Sequence, residues 1–331
     1  MDYVSPIVDC SACSPDNIDF DPTSDECQKV SEELHRAFTD VGFAFIINHG
    51  ISNKEMADMW KMSDDFFDLP KDIKQKALRA KGGGTMGWTP VEQEVVSGLE
   101  GDRADYKEDY NYIPHMVDFD GTRDNIPVRH NNNDRLEWPE DDIPNFCQSH
   151  ATFFKRLHKL SIHFLRLFGK ALALQDADAI AKLHSKIGQP GNMTSLRFLK
   201  YPPIKEGVTS GQRLGAHKDF GTLTIMMQRD VGGLELQTRS GEWVYVEPRE
   251  GIFTLIPSES FEFLTSGGYE GAVHRAGLPA LHEKRRLHTR RSAAFFVNPD
   301  NHSLIAPLDG SDSIPGHLHQ TYLFQKFKAM Y

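Results

Sequence analysis

Cysteine is scarce in this chain, with four among 331 residues, at positions 10, 13, 27 and 147. So few thiols at such uneven spacing exclude a disulfide framework. Cys10-x-x-Cys13 has no second pair to complete a zinc site and reads as the end of a strand. No stretch approaches the roughly 18 consecutive apolar residues that a membrane-spanning helix needs. The N-terminus, Met1-Asp2-Tyr3-Val4-Ser5, has neither the basic region nor the apolar run of a signal peptide, so the cytosol is the expected compartment. Positive charge is not in excess either: 37 Lys and Arg stand against 47 Asp and Glu, a net charge of −10. That balance repels phosphate backbones and anionic membranes, so neither nucleic acid nor a membrane is an expected partner. No internal repeat or low-complexity tract occurs, and no segment calls for an obligate protein partner. The 39% hydrophobic content is enough for one large core with a helical N-terminal addition.

What the chain does contain is His217-Lys218-Asp219, followed at a distance by His274. Residues two apart on a strand point to the same face, so His217 and Asp219 can reach one ion together. The apolar, β-branched run Leu223-Thr224-Ile225-Met226-Met227 follows, which puts the pair at a strand end. His274 comes after a Gly267-Gly268 turn and can begin or end a later strand laid beside the first. Two imidazoles and one carboxylate match the facial triad of non-haem Fe(II) oxygenases, which leaves positions on the metal open. A single H-x-D triplet is weak evidence in a chain with 15 His.

The weight shifts with Arg290-Arg291-Ser292, which runs into Ala293-Ala294-Phe295-Phe296-Val297. On a strand, Arg290, Ser292, Ala294 and Phe296 share a face, so a guanidinium and a hydroxyl point together into a pocket floored by small and aromatic groups. Such a pair is a seat for a carboxylate. Arg291 is the fallback for that role, and the basic stretch from Lys284 to Arg291 reads as a solvated loop or as a contact for an anionic substrate.

These motifs carry a resemblance that extends over most of the chain. LGAHKDFGTLTIMMQRDVGGLELQ from Leu214 to Gln237, GEWVYVEP at 241–248, the His274 segment and RRSAAFFVNP from Arg290 resemble the isopenicillin N synthase-like branch of the Fe(II)/2-oxoglutarate-dependent oxygenases. SPIVDCS from Ser5, DVGFAFIINHGIS at 40–52, FFDLPKDIKQKA at 66–77, Gly87-Trp88-Thr89-Pro90 and Asp105-Tyr106-Lys107-Glu108 are similar to that family's N-terminal region.

The resemblance implies a mainly β fold with flanking helices (α+β): a double-stranded β-helix, or jelly roll, with a helical N-terminal region. It implies Fe(II) on His217, Asp219 and His274, and 2-oxoglutarate with its distal carboxylate on Arg290, Ser292 and Tyr201. One position is left for O2. The activity to expect is oxidation of a small-molecule substrate, with hydroxylation as the default outcome and desaturation, epoxidation or ring closure open, and with release of succinate and CO2. Phe296, Tyr110 and Tyr112 are the candidate substrate contacts. Some members dispense with 2-oxoglutarate and draw electrons from the substrate or from ascorbate, so an oxidase of the same fold and an ascorbate requirement stay open, as does a non-catalytic binding protein. The chain departs from the family pattern at Leu199, where many members carry Asn, and at Ile256-Pro257-Ser258-Glu259.

Along the chain this gives an N-terminal mixed α/β region at 1–120, a loop and scaffold helix at 121–192, the jelly roll at 193–300 and a C-terminal helix at 301–331. Thr23-x-x-Glu26 reads as a capping box opening a helix with Val30, Leu34, Phe38 and Val41 on its apolar face. A second helix is expected over 54–67 and a long one over 145–174, with Phe153, Leu157, Leu160, Phe164, Leu167 and Ala171 as its stripe and His158 and His163 incidental. The segment 81–145 reads as loop-rich, with Gly82-Gly83-Gly84 and 130–134 as its loop signals. The last helix, 318–327, either packs on the core or covers the pocket mouth, and packing is the expectation.

Overall fold

A computed structural model of the chain describes residues 6–79, 86–94, 105–114, 136–204, 213–279, 283–311 and 315–330. The loop signals at 82–84 and 130–134 lie outside them. In chain order the strands are β1 (Ile7–Asp9), β2 (Ala44–Ile47), β3 (Gly87–Thr89), β4 (Glu108–Tyr112), β5 (Ser195–Tyr201), β6 (Leu214–His217) and β7 (Leu223–Gln228). They continue with β8 (Leu234–Gln237), β9 (Trp243–Tyr245), β10 (Phe253–Pro257), β11 (His274–Ala276), β12 (Arg290–Val297), β13 (Leu304–Ile305) and β14 (His317–Leu318). The helices are α1 (Asp25–Arg36), α2 (Asn53–Phe67), α3 (Lys71–Lys76), α4 (Phe146–Ala171), α5 (Ala179–Lys182), α6 (Glu259–Leu264) and α7 (His319–Met330).

Two facing sheets form the jelly roll. The larger has the order β1-β2-β10-β7-β12-β5-β4-β3 and the smaller β6-β11-β8-β9. Phe43, Met226, Leu234, Leu236, Val246, Ile256, Ala272 and Ala294 fill the space between the layers. Among the strands of the two facing sheets that follow α4, β5 starts at Ser195 and β12 ends at Val297. The N-terminal region is not a separate layer, because β1 and β2 extend one edge of the larger sheet and β3 and β4 extend the other. Those last two strands lie within the segment read as loop-rich. Their composition hides them, and the pairing of β4 with β5 and of β3 with β4 is what orders them.

α4 lies on the outer face of the larger sheet. Phe153, Leu157, Leu160, Phe164 and Leu167 are buried as the stripe requires. Phe154 meets Phe295 of β12 edge-on at 5.0 Å. His163 is a satisfied core residue, bonded to the Cys13 carbonyl at 3.0 Å and stacked on Phe20. Cys10 and Cys13 follow β1 as free, buried thiols. The capping box at Thr23 is corrected: Ser24 is the cap of α1 and accepts from Cys27 N, while the Thr23 hydroxyl is engaged by Asp21. α1 runs into one wider turn at Ala37–Val41, which stops at Gly42, whose φ of +106° suits glycine. α2 opens on a full capping box, Ser52 with Glu55.

Candidate active site

β6 ends at His217 and β11 begins at His274, and the two histidines are direct partners across this antiparallel pair. Their rings lie 4.3 Å apart, tilted by 51°. Asp219 follows in the turn after β6. Each imidazole is oriented by its own backbone: Nδ1 of His217 bonds the Gly215 carbonyl at 2.7 Å, and Nδ1 of His274 bonds the Ala272 carbonyl at 3.1 Å. A carbonyl accepts only, so Nδ1 carries the proton in both rings and the lone pair is on Nε2. Those Nε2 atoms face Asp219, at 3.6 Å from Oδ1 for His217 and 3.7 Å from Oδ2 for His274. One ligand atom from each of the three residues lies within 4.8 Å of the others. Burial, and next the charge of His274, push the pKa of His217 down to about 4, so this ring is neutral at physiological pH. Two imidazoles and one carboxylate converging on a point fit a divalent first-row metal with open positions.

The residues expected to seat a carboxylate lie across the layer, on β12 of the larger sheet. Arg290 is buried, its Nη1 donates to Ser292 Oγ at 3.0 Å and its Nη2 to Gln228 Oε1 at 3.1 Å. The guanidinium stacks on the ring of Tyr201, its register partner on β5, at 4.6 Å from the centroid. Its Nε has no partner among the described residues. A buried guanidinium with a spare donor fits an incoming carboxylate. Arg291, the fallback, is excluded from the seat because it points to the other face of β12 and bonds Asp64 at 2.5 Å.

Between triad and solvent opens a cavity whose wall includes Asn111, Arg197, Phe220, Phe296, Leu323 and Phe327. Phe296 is where the alternation on β12 put it. Tyr110 and Tyr112 are not part of this wall. They share the opposite face of β4, where Tyr110 Oη bonds His150 at 2.9 Å and Tyr112 Oη donates to the Cys147 carbonyl at 2.9 Å. Both pack among the aromatics under α4, near Trp138 and Phe146. Asn111, between them, faces the cavity instead, and its Oδ1 accepts from Arg197 Nε at 2.9 Å. Arg197 lies over the Phe296 ring at 5.3 Å and within 3.7 Å of Asp109. α7 does more than pack. Leu323 is buried against the core and also lines the cavity with Phe327, so the helix forms part of the mouth. Lys326 on α7 ties it to Glu259 of α6 at 2.7 Å.

Two family models match the chain: the N-terminal region of non-haem dioxygenases, described from morphine synthesis, over residues 6–141, and the 2OG-Fe(II) oxygenase superfamily over 191–299. A 2-oxoglutarate-dependent dioxygenase, htyE, of Aspergillus rugulosus is 31% identical over 299 residues, 86% of either chain. The chain belongs to the 2OG-Fe(II) oxygenases. Proline hydroxylase buaE of Petromyces alliaceus is 28% identical over 81% of both chains. Among solved structures, a full-length Neurospora crassa protein in complex with alpha-KG and thymine has a TM-score of 0.80 at 22% identity, covering 99% of this chain and 97% of that one. A rice dioxygenase for auxin oxidation has a TM-score of 0.69 at 18% identity, covering 98% and 96%. The oxygenase uses Fe(II), 2-oxoglutarate and O2. No helix among its described residues is long and apolar enough to cross a membrane.

Several residues that shape this oxygenase's site belong to no motif. Thr224 donates to Asp219 Oδ2 at 2.6 Å. Gln228 holds Arg290, and Gly233 lets Arg290 pass, since a Cβ there would lie 3.2 Å from its Cδ and Nε. A polar residue inside the apolar run of β7 was the available signal for Thr224. Arg197 carried a similar one, as a charge within the alternating strand SLRFLKY.

Proposed function

We propose that His217, Asp219 and His274 hold Fe(II), and that Arg290, Ser292 and Tyr201 hold the distal carboxylate of 2-oxoglutarate. The observation that carries this is the pairing of a preformed two-His, one-Asp cluster with a buried arginine whose Nε lacks a partner among the described residues. When bound, iron and the keto acid supply the oxidation of a C–H bond by O2, with release of succinate and CO2. The protein's own part is positioning. Thr224 aims the Asp219 carboxylate, the Gly215 and Ala272 carbonyls fix the imidazole tautomers, and Gln228 and Ser292 hold the Arg290 plane. The substrate is a small molecule resting on Phe296, with its polar end at the Asn111–Arg197 corner and its apolar flank on Phe220, Leu323 and Phe327. Hydroxylation is the proposed outcome. Relatives named as a proline hydroxylase and a structure solved with thymine support a compact substrate. A cytosolic location, suggested by the cysteine usage, belongs to the same proposal.

The test is anaerobic titration of 2-oxoglutarate into the Fe(II)-loaded protein, following the visible absorption of the keto-acid chelate. A saturating band that weakens in Arg290→Ala is expected. Iron binding without a band would point to an oxidase that does not use the keto acid.

A further inference from the structure

Four arginines, Arg213, Arg285, Arg286 and Arg290, gather behind Tyr201, and two of them are firmly engaged within the chain. Arg285 is ion-paired with Glu283 and stacked on Tyr245, and Arg286 donates to the Pro279 carbonyl. Arg213 is different. It precedes β6 and is fully buried, yet its Nε and Nη1 have no partner among the described residues. Its Nη2 makes two long contacts, to the carbonyls of Pro202 at 3.5 Å and His288 at 3.3 Å.

Those two carbonyls locate the guanidinium. Pro202 follows Tyr201, His288 lies two residues before Arg290, and Tyr201 and Arg290 are register partners. The head of Arg213 therefore sits at the open end of the pair that forms the carboxylate seat. Burial, and next the charge of Arg290, push its pKa down to about 10, which still leaves it charged at neutral pH. Elsewhere the chain neutralises its buried cations with carboxylates, Lys107 with Asp109 and Lys74 with Glu108. Among the described residues no carboxylate is ion-paired with Arg213 or Arg290. Two adjacent buried guanidinium groups with unused donors call for an anion that offers several acceptor lone pairs.

We infer that Arg213 is a second cation of the co-substrate seat, sharing the distal carboxylate with Arg290, so that the site selects dicarboxylic over monocarboxylic keto acids. The inference rests on the proposed keto-acid seat. It makes Arg213 a binding residue, in contrast to a strap that only ties the chain after β5 to the chain before β12.

The experiment compares 2-oxoglutarate with 2-oxopentanoate, which has a methyl group where the distal carboxylate would be, by anaerobic titration of the Fe(II) protein and its chelate absorption. In Arg213→Met the affinity for 2-oxoglutarate should fall about tenfold or more, the scale of a lost charge-assisted bond, with 2-oxopentanoate unchanged. Arg213→Lys, which keeps the charge without the planar fork, should retain part of the preference, and it serves if the Met variant does not fold. Equal losses for both acids, or no loss in either variant, would overturn the inference while leaving the seat intact. Absence of a 2-oxoglutarate band in the wild-type protein would instead remove the seat itself, and the inference with it.

Discussion

Thr224 donates its hydroxyl to Oδ2 of Asp219 at 2.6 Å, and both side chains are buried. The bond fixes which way the carboxylate faces, and with it the open side of the proposed metal site. In Thr224→Val the shape is kept and the donor lost. Affinity for Fe(II), or for Co(II) as its stand-in, should fall about 10–100-fold, as is usual when a partner of a metal ligand is removed. Competition against a chromogenic chelator under anaerobic conditions measures it. An unchanged affinity would mean that Asp219 is held by the turn backbone alone.

Gly233 touches no ligand in the proposed site, yet it controls one. Its φ is +148°, and a Cβ would lie 3.2 Å from Cδ and Nε of Arg290. Gly233→Ala should push the guanidinium off the Tyr201 ring and lower 2-oxoglutarate affinity roughly tenfold, an overpacking cost of about 1–3 kcal/mol. Metal affinity should be unaffected, because Thr224 and the two backbone carbonyls are remote from the clash. Parallel iron and keto-acid titrations separate the two effects.

The parts of the site legible in the sequence were those set by short-range geometry. His217 and Asp219 sit two apart, one ending β6 and the other in the turn after it, and Arg290, Ser292 and Phe296 alternate along one strand, so short sequence spacing alone grouped them. Alternation also tells that Tyr110 and Tyr112 share a face and Asn111 takes the other, but not which face meets the cavity. Packing decided that: α4 offers an apolar surface with His150 and the Cys147 carbonyl as hydroxyl partners, and it drew both tyrosines. Arg213 and Thr224 stayed hidden because their partners lie on other segments or across a turn. At Thr23 and Ser24 two adjacent hydroxyls competed for one cap, and Asp21 settled the choice by engaging Thr23.

α7 closes one side of the cavity through Leu323 and Phe327, and Phe327 meets Phe220 at a centroid distance of 6.2 Å. Truncating the half-buried Phe327 to alanine should admit water to the site with little effect on folding. Keto-acid consumption without substrate should then rise, since excluding water is what suppresses such side reactions. Leu323→Ala should show the same leak together with a stability loss of about 2–5 kcal/mol, because Leu323 is also core. Succinate release without substrate and a urea titration measure the two quantities. A leak no greater than wild type in both variants would make α7 a packing element only.

The polar corner of the cavity rests on a buried ionic cluster. Lys107 Nζ donates to Glu94 and, at 2.7 Å, to Asp109, and these carboxylates also approach Arg197 at 3.5 and 3.7 Å. Burial opposes ionisation of Glu94, but Lys107, Arg197 and Arg79 outweigh it and hold the carboxyl well below its usual range. A carboxyl depressed in the folded state contributes stability above its unfolded pKa and loses it as pH falls through the folded value. Lys107→Met removes the main opposing charge and leaves Glu94 and Asp109 only the longer approaches of Arg79 and Arg197, so at pH 7 it should cost about 3–5 kcal/mol. With Lys107 gone, burial raises the carboxyl pKa, and acid then relieves the variant by protonating it while the wild type is still ionised. The penalty should therefore shrink between pH 7 and pH 5 in urea denaturation. A penalty independent of pH would assign the loss to the packing of the lysine stem. Arg197 would at the same time draw closer to the freed carboxylates and away from Asn111, so substrate affinity should fall in the same variant without any change in iron binding.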